Sequence, residues 1–337
     1  MSTLNLSGAC GSNFYGTSRN AGIFILTQNK PQRVASLKTS LYFLFKNFNA
    51  IPAGYRYPVF IMHEGDFDVR TQEEIFSGIR RNCRESINFV QIDESDFTVP
   101  NHIDIPRMIN CINQRPVPYW RDARYRMMCR WWLVHFPKYT GSFDYVMRLD
   151  DDSFIEEPIP DLIDYAKSMS LNYIYNTVHL DCGVCCLGLR HSLDSVFPGR
   201  SDELSSMFLY QNIEPFDVLR EQLRRITSIS GIKWNDDLIN GSFSLSMPIM
   251  FYNNFFITKT SFWRNPDVMN VIEKIDQVGG IFYHRWGDAP IQSIVLKMLS
   301  PANKLHRADF KYSKRIQREA FIDDLGGVHS FVGEKYS

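Results

Sequence analysis

The chain has 337 residues, 44% of them hydrophobic and 22% charged, and 37 basic side chains balance 37 acidic ones. That length and apolar share suffice for one large folded domain or two small ones. The lack of a basic excess argues against a nucleic-acid or anionic-membrane binder, and the aromatic share of 14% is enough to build a core or line a carbohydrate site.

Residues 1–20 read as a polar N-terminal segment without the charged and apolar regions of a signal peptide. The apolar run that follows, Gly22 to Thr27, is far shorter than the roughly 20 residues a membrane helix needs. Seven cysteines form an odd set in a large chain, so no disulfide framework is expected and a reducing cytosol is the expected home. Cys182 and Cys185 make one C-x-x-C, but a four-ligand zinc site needs a second pair at suitable spacing. Gly183–Leu189 therefore reads as a buried strand.

In chain order, GIFILT at 22–27 reads as a buried strand closed by Gln28-Asn29-Lys30-Pro31. Val34, Leu37, Leu41, Leu44 and Phe45 recur at helical spacing. PVFIMH at 58–63 is a second strand, Thr71–Arg81 a helix with the capping-box pattern Thr71-x-x-Glu74, and Ile87–Ile92 a third strand. Strand–helix–strand–helix–strand over about 70 residues predicts an α/β fold with a mainly parallel sheet. After an irregular stretch, Ala123–Phe136 reads as helix and FDYVMRL at 143–149 as a strand. Strands are expected at Asn172–Val178 and Ile249–Ile257, and helices at Asp217–Arg225 and Pro290–Leu299. One α/β domain over 21–320 is the economical division, with a nucleotide-binding half at 21–155, a substrate half at 156–320 and a tail at 321–337.

The strand FDYVMRL ends on Asp150-Asp151-Asp152. Parallel α/β sheets bind ligands beyond the carboxyl ends of their strands, and three adjacent carboxylates repel one another unless a cation joins them. In an extended segment Asp150 and Asp152 share a face while Asp151 points away, so this pair is expected to hold Mg²⁺ or Mn²⁺ against a nucleoside diphosphate. The bland alternative is a solvated acidic loop capping the next segment.

Other candidates are weaker. In Tyr283-His284-Arg285-Trp286-Gly287-Asp288-Ala289-Pro290, Asp288 reads either as a helix N-cap or as a carboxylate facing a sugar hydroxyl, with Arg285 near phosphate or the acids. Asp236-Asp237 reads as a solvated loop. His306 and His329 are possible metal nitrogens, though a lone histidine is more often structural, and Lys30 stands where a phosphate contact is possible.

Two stretches resemble the fungal Golgi α-1,2-mannosyltransferases of glycosyltransferase family 15. These are Tyr125-Arg126-Met127-Met128-Cys129-Arg130 with the strand into Asp150-Asp151-Asp152, and Asp276-Gln277-Val278-Gly279-Gly280-Ile281-Phe282-Tyr283-His284-Arg285-Trp286-Gly287-Asp288-Ala289-Pro290. The family reads G-G-F-F-Y-E-R-W-G-D-A-P in the second. The similarity runs patchily over about 20–315. It implies a GT-A-like fold, a retaining Mn²⁺-dependent transfer, GDP-mannose as donor and a glycan or glycoprotein acceptor, with the Golgi lumen as the family's compartment. Carried over, Tyr125 matches a nucleotide-contacting tyrosine. Asp150 and Asp152 match the acids of a metal-binding E-P-D motif, and Asp288 matches the aspartate of R-W-G-D-A-P. Arg148 and Asp151 flank these acids and are taken as donor contacts.

Two positions depart from the family. Phe256 stands where a glutamate is the proposed nucleophile, so either retention proceeds by front-side attack or another carboxylate acts. Lys314 falls in the segment where the family carries a metal-binding histidine, which leaves water or His306 to complete a metal shell, or Lys314 to contact the diphosphate directly. A UDP-sugar donor and a catalytically dead nucleotide- or glycan-binding relative remain the alternatives.

Overall fold

The computed structural model describes residues 20–52, 54–213, 218–232, 243–314, 318–322 and 328–332. Seven strands form the main sheet: Ala21–Leu26 (β1), Val59–His63 (β2), Ile87–Gln91 (β3), Tyr145–Leu149 (β4), Tyr173–Tyr175 (β5), Phe255–Lys259 (β6) and Leu305–Arg307 (β7). Their order is β7-β5-β6-β4-β1-β2-β3. Only β6 runs against its neighbours, so the sheet is mixed and mainly parallel, as the strand–helix alternation requires.

Period-two alternation sorts the core into two layers. Phe24, Phe60, Val146 and Phe256 enter an aromatic-rich layer that includes Trp131, Trp132 and Phe136. Their neighbours Ile23, Ile25, Val59, Ile61, Met147, Leu149 and Ile257 enter an aliphatic layer on the opposite face. Helix Pro31–Leu44 (α1) covers the aliphatic face with Val34, Leu37, Leu41 and Leu44. Pro266–Val278 (α3) and Asp288–Leu299 (α4) cover the aromatic face through Val268, Ile272, Ile291 and Val295. Ala123–Arg130 (α2) runs into a π-helical turn at Trp131–His135, which carries both tryptophans inward. Among the described residues no helix is long and apolar enough to cross a membrane.

Several expected elements change at their boundaries. The helix read from Thr71 starts at Val69 and ends at Phe76, and its N-cap is Asp68, whose carboxylate accepts from the Thr71 amide. The capping box is therefore displaced: Thr71 is already inside the first turn, and a carboxylate three residues upstream caps better than its hydroxyl. Gly183–Leu189 is not a strand. It folds as turns, with the Cys186 amide donating to the Cys182 carbonyl, before a helix begins at Leu189. Ile249–Ile257 is broken by Tyr252-Asn253-Asn254 into Phe243–Phe251 and β6. Within 321–337, Val328–Val332 pairs antiparallel with Arg318–Ile322.

Candidate active site

From β1 the chain steps outward to β2 and β3, then returns to lay β4 along the other side of β1. This reversal opens a crevice at the carboxyl ends of β1 and β4, where open α/β sheets hold ligands. Thr27, just past β1, bridges the crevice by donating to Asp151 Oδ2 at 2.7 Å. A cavity of about 1050 Å³ opens there, lined by Thr27, Lys30, Arg33, Tyr125, Arg148, the three aspartates, Arg285, Asp288 and Lys314.

The acid triplet is a turn rather than an extension of β4: the Ser153 amide closes back on the Asp150 carbonyl. The alternation expected of Asp150 and Asp152 is thereby lost, and each carboxylate meets protein cations. Asp150 accepts from Arg148 Nε at 2.9 Å, Asn254 Nδ2 at 2.8 Å and Lys314 Nζ at 2.6 Å. Arg33 Nη1 stands 3.0 Å from both Asp151 and Asp152, and Lys314 Nζ lies 3.5 Å from Asp152. Burial favours the neutral acid at Asp150, but Arg148 and Lys314 outweigh it and hold its pKa down to about 2. At Asp151 burial dominates, Arg33 only partly offsets it, and the pKa is pushed up to about 7. Burial likewise opposes the Lys314 charge, yet Asp150 and Asp152 raise its pKa above the ordinary lysine value.

Arg148 sits at the end of β4 on the aromatic face, its guanidinium 3.9 Å from the Trp132 ring centre. It donates through Nη1 to Asp288 Oδ2 at 2.6 Å, so one arginine joins the acid turn to α4. Asp288 is the first residue of that helix, and Gly287 takes the N-cap position. The Asp288 side chain is thus free of capping and also accepts from Asn253 at 2.8 Å. Gly280 fixes the approach: a Cβ there would run into the Trp286 ring, so only glycine lets Trp286 pack and bring Arg285 and Asp288 to the cavity. Arg285 donates to Asp181 at 2.7 Å and lies 3.4 Å from the Tyr125 hydroxyl, while its Nε is buried without a partner among the described residues.

The tertiary structure therefore brings together Tyr125, Arg148, Asp150, Asp151, Asp152, Arg285, Asp288 and Lys314 around one cavity. It does not bring His306. That residue lies on the edge strand β7, beside the Tyr165 ring at 5.0 Å and outside the cavity lining, because β7 pairs with β5, three strands away from β1. Phe256 is likewise outside the lining, buried against Tyr173 and Trp132 on the aromatic face. Asp236 and Asp237 lie outside the described residues, as does the His329 side chain. Sequence reading missed Thr27, Arg33, Asp181, Asn253 and Asn254. The first two follow a strand end and open a helix, a placement that signals a phosphate-binding turn. The asparagines break a long apolar run, a turn signal. Asp181 carries no local pattern.

A divalent metal on Asp150 and Asp152 does not fit this arrangement. The Lys314 ammonium already lies against both carboxylates, and among the described residues no group of three or more His, Cys, Asp or Glu side chains converges as a metal site. A dication within about 4 Å of that ammonium meets repulsion on the order of 8 kcal/mol at an effective dielectric constant of about 20.

Comparison with known proteins places the chain. Residues 9–173 and 216–319 match the family described as glycolipid 2-alpha-mannosyltransferase. O-glycoside alpha-1,2-mannosyltransferase homolog 3 of Schizosaccharomyces pombe is 25% identical over 299 residues, covering 87% of this chain and 71% of that protein. Glycolipid 2-alpha-mannosyltransferase 1 of Candida albicans is 22% identical over 283 residues, covering 82% of this chain but 55% of that protein. Among solved structures, core-mannan synthase A of Aspergillus fumigatus in a Mn/GDP form superposes with a TM-score of 0.68 at 19% identity, over 91% of this chain and 77% of that one. The mannosyltransferase Ktr4p of S. cerevisiae in complex with GDP gives 0.67 at 18% identity, over 88% and 71%.

Proposed function

Because the chain belongs to the glycolipid 2-alpha-mannosyltransferase family, a family of glycosyltransferases, we propose that it transfers mannose from GDP-mannose to a hydroxyl of a glycan or glycoprotein, with retention. The observation that carries this reading is the cation-rich cavity at the β1–β4 crevice, where Arg33, Lys314 and Lys30 surround the place a diphosphate enters. GDP occupies both solved relatives described above, which supports guanosine as the base.

In this reading Tyr125 packs against the nucleotide, Arg33 and Lys314 contact the diphosphate, and Arg148 with Asn253 holds Asp288 toward the sugar and acceptor. The bond between C1 of mannose and the phosphate oxygen breaks, and its electron pair leaves with GDP. The acceptor oxygen bonds to C1 from the same face, and its proton passes to the departing phosphate oxygen. Fixed cations stabilise the negative charge that develops on that oxygen. Phenylalanine is no nucleophile, so Phe256 favours front-side attack over a covalent intermediate.

The test is a panel of GDP- and UDP-sugars incubated with the purified protein and followed by nuclear magnetic resonance. Selective release of α-mannose from GDP-mannose is expected, with Asp288→Asn as the weakened control. Preferential turnover of a UDP-sugar, or release of the β-anomer first, overturns the donor or the stereochemistry.

A further inference from the structure

We propose that Lys314 is a built-in cation standing in for a divalent metal: its ammonium, seated on Asp150 and Asp152, faces the donor's diphosphate, so the nucleotide sugar binds and reacts without a metal ion. This rests on the nucleotide-sugar reading above and specifies how that site handles phosphate charge.

The placement is built into the backbone. Tyr312–Lys314 pairs antiparallel with Ser153–Ile155, setting Lys314 opposite Ser153, the residue that follows the acid turn. Two side-chain bonds hold that register: the Tyr312 hydroxyl donates to Ser153 Oγ at 2.8 Å, and the Ser313 hydroxyl donates to Glu156. The Lys314 side chain is 11% exposed and borders the cavity, with its ammonium 5.7 Å from the Tyr252 ring centre. An ammonium has three N–H donors. Asp150 accepts one at 2.6 Å, and Asp152 lies at ion-pair distance, 3.5 Å, so N–H donors remain for a phosphate oxygen.

A metal bridging Asp150 and Asp152 has to occupy the same ground, and expelling the ammonium leaves a buried positive charge beside a dication. Arg33, bonded to Asp151 and Asp152 from the other side and 38% exposed, supplies the second positive charge that a divalent ion otherwise brings. During transfer Lys314 donates a hydrogen bond to the phosphate oxygen that receives the C1–O electron pair. It keeps its proton, and the step needs no co-reactant.

The experiment uses the full chain stripped with chelator, and Lys314→His and Lys314→Ala prepared alike. Mn²⁺ is titrated in and followed by electron paramagnetic resonance, and GDP affinity is measured by calorimetry in chelator and in Mn²⁺. The wild type is expected to leave the Mn²⁺ signal free and to bind GDP within about twofold in the two conditions, whereas Lys314→His takes up Mn²⁺ and gains roughly tenfold in GDP affinity from it. Lys314→Ala is expected to lose roughly tenfold in GDP affinity in chelator. Stoichiometric Mn²⁺ uptake by the wild type, or a tenfold metal-dependent gain in its GDP affinity, overturns the proposal. If GDP binds in no condition, the donor reading fails, and the Mn²⁺ titration still decides the lysine: uptake by the wild type overturns its role, and uptake only by Lys314→His supports it.

Discussion

Arg130–Asp276 and Arg148–Asp288 are the same pair of groups in two settings. Arg148, Asp288 and Asp276 are buried and Arg130 is partly so, and in both pairs an arginine clamps an aspartate at 2.6–3.0 Å; Arg130 also meets His135 Nε2 through Nη1. Arg130 reaches from α2 to the last turn of α3, and neither partner borders the cavity. Arg148 and Asp288 both border it, and each has a second polar partner, Asp150 and Asn253 respectively. The first pair ties two helices across the aromatic layer. The second leaves a carboxylate and a guanidinium oriented toward open space. Chemical identity is shared, so position relative to the crevice is what separates the two pairs.

The largest effect that separates them is on stability. Asp276→Ala removes both carboxylate oxygens from a partly buried Arg130, leaves it only His135, and is expected to cost about 3 kcal/mol in denaturant unfolding, with the folded fraction keeping the wild-type affinity for GDP. Loss of nucleotide affinity without loss of stability breaks the contrast. Asp288→Asn is the mirror image. It preserves shape and leaves Arg148 its bond to Asp150, so unfolding is expected to change little while mannose transfer falls about 10²–10³-fold. Unchanged turnover removes Asp288 from the reaction.

A smaller effect comes from Asp151, which lies between the two roles. Its native carboxyl, raised to about 7, holds a proton that the unfolded carboxyl releases near 3.8. Protons are therefore bound preferentially by the folded state in that window, and stability falls as pH rises from about 4 to about 7. Asp151→Asn is expected to flatten that slope in unfolding measured at several pH values. The Asp150 contribution has the opposite sign and a different window, present above 3.8 and lost as pH falls toward about 2. A slope that survives Asp151→Asn assigns it to another group. The smallest expected effect is His306→Ala, less than about twofold in transfer, because β7 holds that side chain away from the cavity. A large loss there sharpens the question of what reaches β7.

Much of the fold was legible because it rests on local periodicity. Continuous apolar runs in β1, β2 and β4 mark strands buried on both faces, and helical spacing in α1 reports the face it lays on the sheet. The acid triplet at the end of β4 was legible as a candidate because strand ends in parallel sheets gather ligands. The turn at Tyr252-Asn253-Asn254 was hidden inside a long apolar run, and the turns at 183–189 were hidden because buried turns and buried strands share the same composition.

What remained was a matter of partners far apart in the chain. The order β4-β1-β2 puts Thr27 and Arg33 on Asp151, separated from it by 124 and 118 residues. Pairing of Tyr312–Lys314 with Ser153–Ile155 lays an ammonium on Asp150, 164 residues away. A run of three aspartates determines by itself that a positive charge must be near, since unpaired carboxylates cannot be buried together. Whether that charge is a metal ion or a lysine is decided only by which strands become neighbours.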